Sequence, residues 1–542
     1  MNSTKSLRLV LISILLAALA ANCPWLVAEE PAAVEKRLAE AARFLSADAM
    51  EGRGVGTKGL EAAADFIAAQ FAQCGLKTTA LAGTPFQKFS VTTAVSRTAN
   101  NKLAFTGPST DPNRPERIEL KLDADFTPLA IGGSGKFDLP LVFAGYGISS
   151  PKDHYDDYAG IDALGKAVVI LRHEPGPASP KGPPGGTTLS HHAPFPRKLA
   201  NAREHKAAAV VFCSDGPGLH KGVTEVTAAS DRIRAEFDPV LPFEGAGRDL
   251  SAGAIPVVYC RRALVDRILR AATKTDLAAL ERQIAQGPKP HSAALAGWRA
   301  AGEIQVERTQ TELRNVIAVM DGEGPAADET IVVGAHYDHV GWGRPNAAAG
   351  QPKVVYNGAD DNASGVAVML EVARELARRK PAPRRRLVFV AFAAEELGLR
   401  GSNYYLGSPP FPVEKTAAMV NLDMVGRLRD NKLSVYGSGT SPRFDPLTDA
   451  VAARYGFTLT KHPAGTGPSD HASFNARQVP VLHFFTGVHE DLHKPGDDFE
   501  KLNLDGMRRI AAAVAEVVTT LATEAKRPEY VAPAKPPAAK KS

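Results

Sequence analysis

The sequence predicts an α/β protein built on a mixed, mostly parallel sheet flanked by helices. Three observations carry this expectation. Short apolar runs alternate with helical patterns, the alternation that builds parallel sheets. Each of four such runs is followed by a histidine or carboxylate able to hold a metal ion, and open α/β sheets place their sites at the carboxyl ends of strands. The 542 residues are 44% hydrophobic, ample for packed cores and too many for one ordinary domain, so two or three are expected.

The elements follow in chain order. IVVGAH, residues 331–336, reads as a buried strand ending in His336, with Asp338 two residues on. A period of two points both side chains the same way. Asp338 is therefore expected to accept a proton from the far ring nitrogen of His336 and fix its tautomer. Asp361 precedes NASGVAVMLEVARELARR, a strong helical pattern, with Asp361 or Asn362 as its N-cap. RRRLVFVAFAA, residues 384–394, is a second strand that delivers Glu395 and Glu396. TAAMVNLD is a third, ending in Asp423, and VPVLHFF a fourth, with His493 in the loop beyond it.

These residue types belong together chemically. Two divalent ions roughly 3.5–4 Å apart can activate one water and polarise one carbonyl. Such a pair needs a bridging carboxylate, plus a carboxylate and an imidazole for each ion. His336, Asp361, Glu396, Asp423 and His493 meet that count. Histidine and carboxylate without thiolate suit zinc, two Zn²⁺ per chain, with Co²⁺ or Mn²⁺ as substitutes. Glu395 is left over, and a general base belongs beside the reacting water without being locked onto a metal. Taken singly, each residue has a plain structural reading; their joint occurrence points to the site. Asp360 is read as the member of its pair that does not ligate, and His339, His483 and His489 as structural or rim histidines. Asp470 and His471, in GPSDHASF, either shape the site's surroundings or pack a polar loop. Tyr404 and Tyr405 are read as core.

The motifs GAHYDH, GADDNASG, AFAAEELG, NLDMVG and DLHKPGDD resemble those of the zinc exopeptidase family that includes bacterial leucyl aminopeptidases, glutamate carboxypeptidases and glutaminyl cyclases. The similarity runs over about residues 315–523, with a weaker match in 45–77. The resemblance implies that Asp361 bridges the metals, that His336 and Asp423 complete one, and that Glu396 and His493 complete the other. It also implies that Glu395 is the base for a metal-bridging water and that Asp338 orients His336. The activity it implies is that of an aminopeptidase acting on peptides or small proteins. A carboxypeptidase or dipeptidase on the same scaffold is the runner-up. Glutaminyl cyclisation ranks lower, because the ligand set is more than that chemistry needs. An inactive, receptor-like binding protein is disfavoured by the intact ligands, and a serine hydrolase by the missing Gly-x-Ser-x-Gly elbow.

Residues 131–299 lack these motifs. LPLVFAGYGISSP, GKAVVILRHEPG, KLANAREHKAAAVVFCSD and AIPVVYC read as strands between Gly/Pro-rich loops, with one helix. Tyr146, Asp156, Asp157, Tyr158, Gly165 and Lys166 give this stretch a resemblance to a protease-associated domain, a β-rich α/β insert of the same family. His191 and His192, in its Pro/Gly/Ser-rich loop, are read as a surface pair. The expected division is a catalytic domain of 29–130 and 300–525, the insert at 131–299, and a disordered Lys/Pro/Ala tail at 526–542. Pro31 to Lys77 reads as two amphipathic helices joined by SADAMEGRGVGTKG, which lacks the Walker Gly-Lys pair.

Residues 1–28 read as a signal peptide: Lys5 and Arg8, then the apolar run Leu9 to Ala21. Export to a periplasmic or extracellular space is expected, with no transmembrane anchor after cleavage and no lipid at Cys23, since Asn22 fits a lipidation box poorly. Cys74, Cys213 and Cys260 remain, too few for a disulfide framework, though a Cys213–Cys260 bridge is open. The net charge of +5 is modest, much of it in the tail, and no nucleic-acid motif occurs.

Overall fold

The apolar runs that precede candidate ligands become strands of one eight-stranded sheet. The computed structural model describes residues 29–109, 115–175, 191–215, 238–247, 255–286, 290–343, 354–380 and 382–532. The signal peptide, Cys23 and most of the basic tail lie outside these residues. The chain divides into two compact units, Met1–Ser90 with Thr311–Ser542, and Val91–Gln310.

The first of the two large sheets comprises β1 (Phe86–Arg97) and β2 (Val306–Met320), which both cross the bounds of the first unit, and, within that unit, β3 (Thr330–His336), β4 (Arg386–Phe392), β5 (Thr416–Leu422), β6 (Lys432–Tyr436), β7 (Thr458–His462) and β8 (Val481–Phe485). Their spatial order is β1-β2-β4-β3-β5-β8-β6-β7. The four central strands, β4, β3, β5 and β8, are mutually parallel. Antiparallel pairs, β2 with β4 and β6 with β8, flank them, so the sheet is mixed as expected.

Burial follows from composition. All seven residues of β3 and of β5 are buried, which suits strands covered on both faces and explains their unbroken apolar runs. The helices are α1 (Pro31–Leu45), α2 (Lys58–Gln73), α3 (Gly365–Arg378), α4 (Arg400–Gly407), α5 (Phe444–Tyr455), α6 (His471–Asn475) and α7 (Leu504–Thr523). α3 packs on both α1 and α7. Thr57 Oγ1 caps α2 by accepting from Leu60 N, and Asn503 Oδ1 caps α7 by accepting from Gly506 N.

Gly334 shows how tightly the parallel strands are packed. A Cβ there would lie 2.5 Å from a ring carbon of Phe392 and 3.0 Å from the Met419 methyl. Gly334→Ala should therefore cost roughly 1–3 kcal/mol by overpacking, read as a lowered midpoint in thermal unfolding.

The second unit holds another eight-stranded sheet. Its strands Gly135–Phe143, Ala167–Leu171, Ala209–Cys213 and Val257–Cys260 run parallel. Lys102–Gly107, Glu116–Leu120, Phe126–Pro128 and Ala293–Ile304 extend it by antiparallel pairing. Residues 102–128 thus join this sheet, whereas the sequence reading grouped them with the ligand-bearing domain. Their alternating strands carry no motif that would have assigned them. Among the described residues, three helices accompany the sheet, Phe195–Glu204, Arg262–Thr273 and Leu277–Gln286, where one was expected. Cys213 and Cys260 are both free and buried, so the open possibility of a bridge between them is not realised. Among the described residues, no helix is long and apolar enough to cross a membrane.

Candidate metal centre

Parallel pairing brings the ends of the central strands together. His336 is the last residue of β3, Glu395 and Glu396 follow β4 by three and four residues, and Asp423 follows β5 directly. His493 comes from the loop after β8, and Asp361 from the turn before α3. The structure gathers these residues into two groups that could hold an ion: His336, Asp361 and Asp423, and His339, Asp361, Glu396 and His493. Within each group the ligand atoms lie within 4.8 Å of one another.

Asp361 belongs to both groups, one oxygen to each. Its Oδ1 is 3.3 Å from His336 Nε2, and its Oδ2 is 3.0 Å from His493 Nε2. His336 Nε2 also lies 3.3 Å from Asp423 Oδ1. Glu396 Oε1 is 3.0 Å from both His493 Nε2 and His339 Nδ1.

The His336 ring is fixed, but not as expected. Its Nδ1 lies 3.1 Å from the Asp338 backbone carbonyl, while the Asp338 carboxylate stands 3.9 Å away. A carbonyl only accepts, so Nδ1 carries the proton, and Nε2 faces the two carboxylates. The Asp338 carboxylate accepts instead from the backbone N–H of Glu395 at 3.0 Å and of Glu396 at 3.3 Å. It therefore orients the glutamate pair rather than the histidine. The period-two argument placed Asp338 correctly but not its partner, because β3 ends at His336 and the chain then turns. Asp338→Asn would set an amide NH₂ against one of these N–H groups. We expect about a 10–100-fold loss of affinity for added zinc, measured by equilibrium dialysis.

Electrostatics mark the same place. His336 is buried, which would lower its pKa, but Asp423, Glu395 and Asp361 raise it well above the usual value. His493 is pushed up to about 10 by Asp361 and Glu396. Burial would raise Glu396, yet His339 and His493 hold it at about 2. Glu395 has no such partner: burial, reinforced by Asp423, Asp470 and Asp338, pushes it up to about 10 against the pull of His336. Burial raises Asp338 to about 6 and Asp470 to about 7.

The donor set fits divalent ions. Imidazoles and carboxylates converge, and Asp361 is shared between the groups. Glu396 Oε1 and both ring nitrogens of His339 are buried without a well-aligned hydrogen bond among the described residues, although Glu396 Oε1 stands 3.0 Å from His339 Nδ1 and from His493 Nε2. Buried polar atoms left without partners are costly, and a cation between them would satisfy them.

Three contributors escaped the sequence reading. His339, taken as a rim or structural histidine, is fully buried and sits within the Glu396–His493 group. Its place three residues after His336 was the available signal. Asp497 Oδ2 accepts from the backbone N–H of both Asp360 and Asp361, at 2.9 and 3.0 Å, and so positions the shared ligand. It lies in the same KPGDD run as His493. Asn362 Nδ2 donates to the carbonyls of His336 and Leu422, and its Oδ1 accepts from Met424 N and Gly365 N. Asn362, not Asp361, thus serves the start of α3.

The other singled-out residues are placed as follows. Asp360 accepts from Gly426 N and Ser364 Oγ and is outside both groups, as read. His489 Nε2 approaches Asp360 at 3.2 Å, and His483 Nδ1 lies 3.2 Å from Asn421 Nδ2. His471 is buried and stacked on His483 at 4.3 Å, where burial pushes it down to about 4. Tyr405 is core, but Tyr404 is exposed and stacks on Phe89.

Residues 315–518 match the model of peptidase family M28. Aminopeptidase YwaD of Bacillus subtilis is 28% identical over 234 residues, 41% of this chain and 48% of its own length. A probable leucine aminopeptidase of Arthroderma otae is 27% identical over 220 residues, 38% of this chain and 57% of its own. The chain thus spans about half the length of these curated relatives. Among solved structures, the aminopeptidase from Aneurinibacillus sp. strain AM-1 aligns with a TM-score of 0.46 at 22% identity, covering 93% of this chain and 96% of that one. The stretch 315–518, which matches peptidase family M28, contains all seven predicted site residues.

Proposed function

We propose that this chain is an exported, dinuclear-zinc exopeptidase that removes N-terminal residues from peptides. The observation that carries the reading is Asp361, with one oxygen turned to each ligand group. The names of the matching relatives, several of them aminopeptidases, support action at the N-terminus. His336, Asp361 and Asp423 would hold one Zn²⁺, and Asp361, Glu396 and His493 the other, with His339 as a further donor beside Glu396. When bound, such ions supply Lewis acidity toward a peptide carbonyl and its attacking water.

The chain's own groups do the rest. Glu395 is half-buried and stands outside both ligand groups, so its carboxylate is free to move a proton. It takes one from the attacking water and returns it to the leaving amine nitrogen. Asp338 holds the Glu395 backbone so that the carboxylate keeps its aim. Asp497 and Asn362 fix the turn that carries Asp361. Within this reading the second unit is a protease-associated insert.

The test is a panel of amino-acid p-nitroanilides and N- or C-blocked dipeptides, run with chelator and with added zinc. Cleavage that needs a free N-terminus and is lost with chelator is expected. Cleavage of N-blocked substrates alone would move the assignment to a carboxypeptidase. No cleavage by protein that holds no metal would favour a binding role.

A further inference from the structure

We infer that Arg53, more than 280 residues before the first ligand, is a positioning residue of the metal centre. The inference rests on the metal-dependent reading above. Arg53 ends a short helical turn, Asp48–Arg53, between α1 and α2, and its side chain is fully buried. A buried guanidinium needs partners for its donors. Here the partners are backbone carbonyls. Nε donates to Tyr337 O, Nη1 to Leu45 O and Asn357 O, and Nη2 to Gly358 O.

The choice of carbonyls is informative. Tyr337 lies between His336 and Asp338, so its peptide sets the direction of both. Asn357 and Gly358 lead directly into the turn of Asp360 and Asp361. One planar fork thereby joins the segment that carries His336 and His339 to the one that carries Asp361. A guanidinium fixes the spacing of its acceptors in a way an ammonium does not.

The backbone around Arg53 is locked to the same segments. His339 N donates to Arg53 O and Gly341 N to Gly52 O, each at 3.2 Å. Gly52 has φ +56°, and a Cβ there would lie 2.4 Å from Tyr356 O and 2.6 Å from Gly341 O. Only glycine fits, and the close approach is what lets the next side chain reach the carbonyls. The Arg53 charge also faces Asp361, Asp338, Asp497 and Glu396.

The test is titration of Co²⁺ into the chelator-treated full chain, followed by its visible absorption, for wild type, Arg53→Lys, Arg53→Gln and Arg53→Met. Arg385→Lys is the control. Arg385 is equally buried and also donates to carbonyls, of Leu521 and Glu524, but at the opposite end of β4, roughly 30 Å of extended chain from Glu395. The Arg53 variants should bind Co²⁺ at least about 10-fold more weakly and with an altered absorption band. Arg385→Lys should melt earlier yet bind as wild type does. If Arg53→Met fails to fold, the Lys and Gln variants carry the comparison. Wild-type affinity in Arg53→Lys, or an equal loss in Arg385→Lys, would overturn the inference. Wild type that takes up no cobalt would overturn the functional reading, and the inference with it.

Discussion

Glu395→Ala should lose about two to four orders of magnitude in peptide hydrolysis while keeping its full metal content, the range expected for removal of a positioned general base. Two features separate Glu395 from Glu396, its neighbour in sequence. Glu396 Oε1 is engaged by His339 and His493, whereas Glu395 belongs to neither ligand group. Glu396 is held at about 2 while Glu395 is driven up to about 10. One carboxyl is engaged by the histidines of a ligand group, and the other stands outside both groups, where it can take up and return a proton. Glu396→Ala should therefore differ in kind, losing metal as well as activity. Steady-state kinetics alongside metal analysis of the two variants checks this; equal metal loss in both would reverse the roles.

Asp361→Ala is expected to release both ions, with affinity reduced at least about 100-fold, beyond the 10–100-fold typical of outer-sphere partners. The argument is geometric. Asp361 alone belongs to both ligand groups, and each of its oxygens faces one of them. Asp423→Ala should remove one ion, because Asp423 contacts only the His336 side. Metal stoichiometry of the dialysed variants distinguishes the two outcomes. One ion retained by Asp361→Ala, or none by Asp423→Ala, would contradict the shared-ligand geometry.

The legible parts of this protein are those written in short-range pattern. β3, β4, β5 and β8 appeared as apolar runs because strands buried on both faces need apolar residues throughout. The five candidate ligands were legible because each follows such a run or shortly precedes a helix. What the sequence concealed depends on how segments meet. The Asp338 carboxylate and His336 are two residues apart, yet the turn after β3 directs the carboxylate to the N–H groups of Glu395 and Glu396. His339 looked ordinary until folding set it beside Glu396. Arg53 and Asp497 act through backbone carbonyls and amides, which leave no trace in residue type. Residues 102–128 show a subtler failure: their strands could pair in either sheet, and only the fold selects the second.

The central claim is that the two ligand groups form one dinuclear exopeptidase site. Its most direct test adds zinc stepwise to chelator-treated protein, with leucine p-nitroanilide and its N-acetyl derivative as parallel substrates. The account predicts that activity is complete at two zinc ions per chain and confined to the free amine. Full activity without metal, or cleavage of the N-acetyl substrate alone, would contradict it.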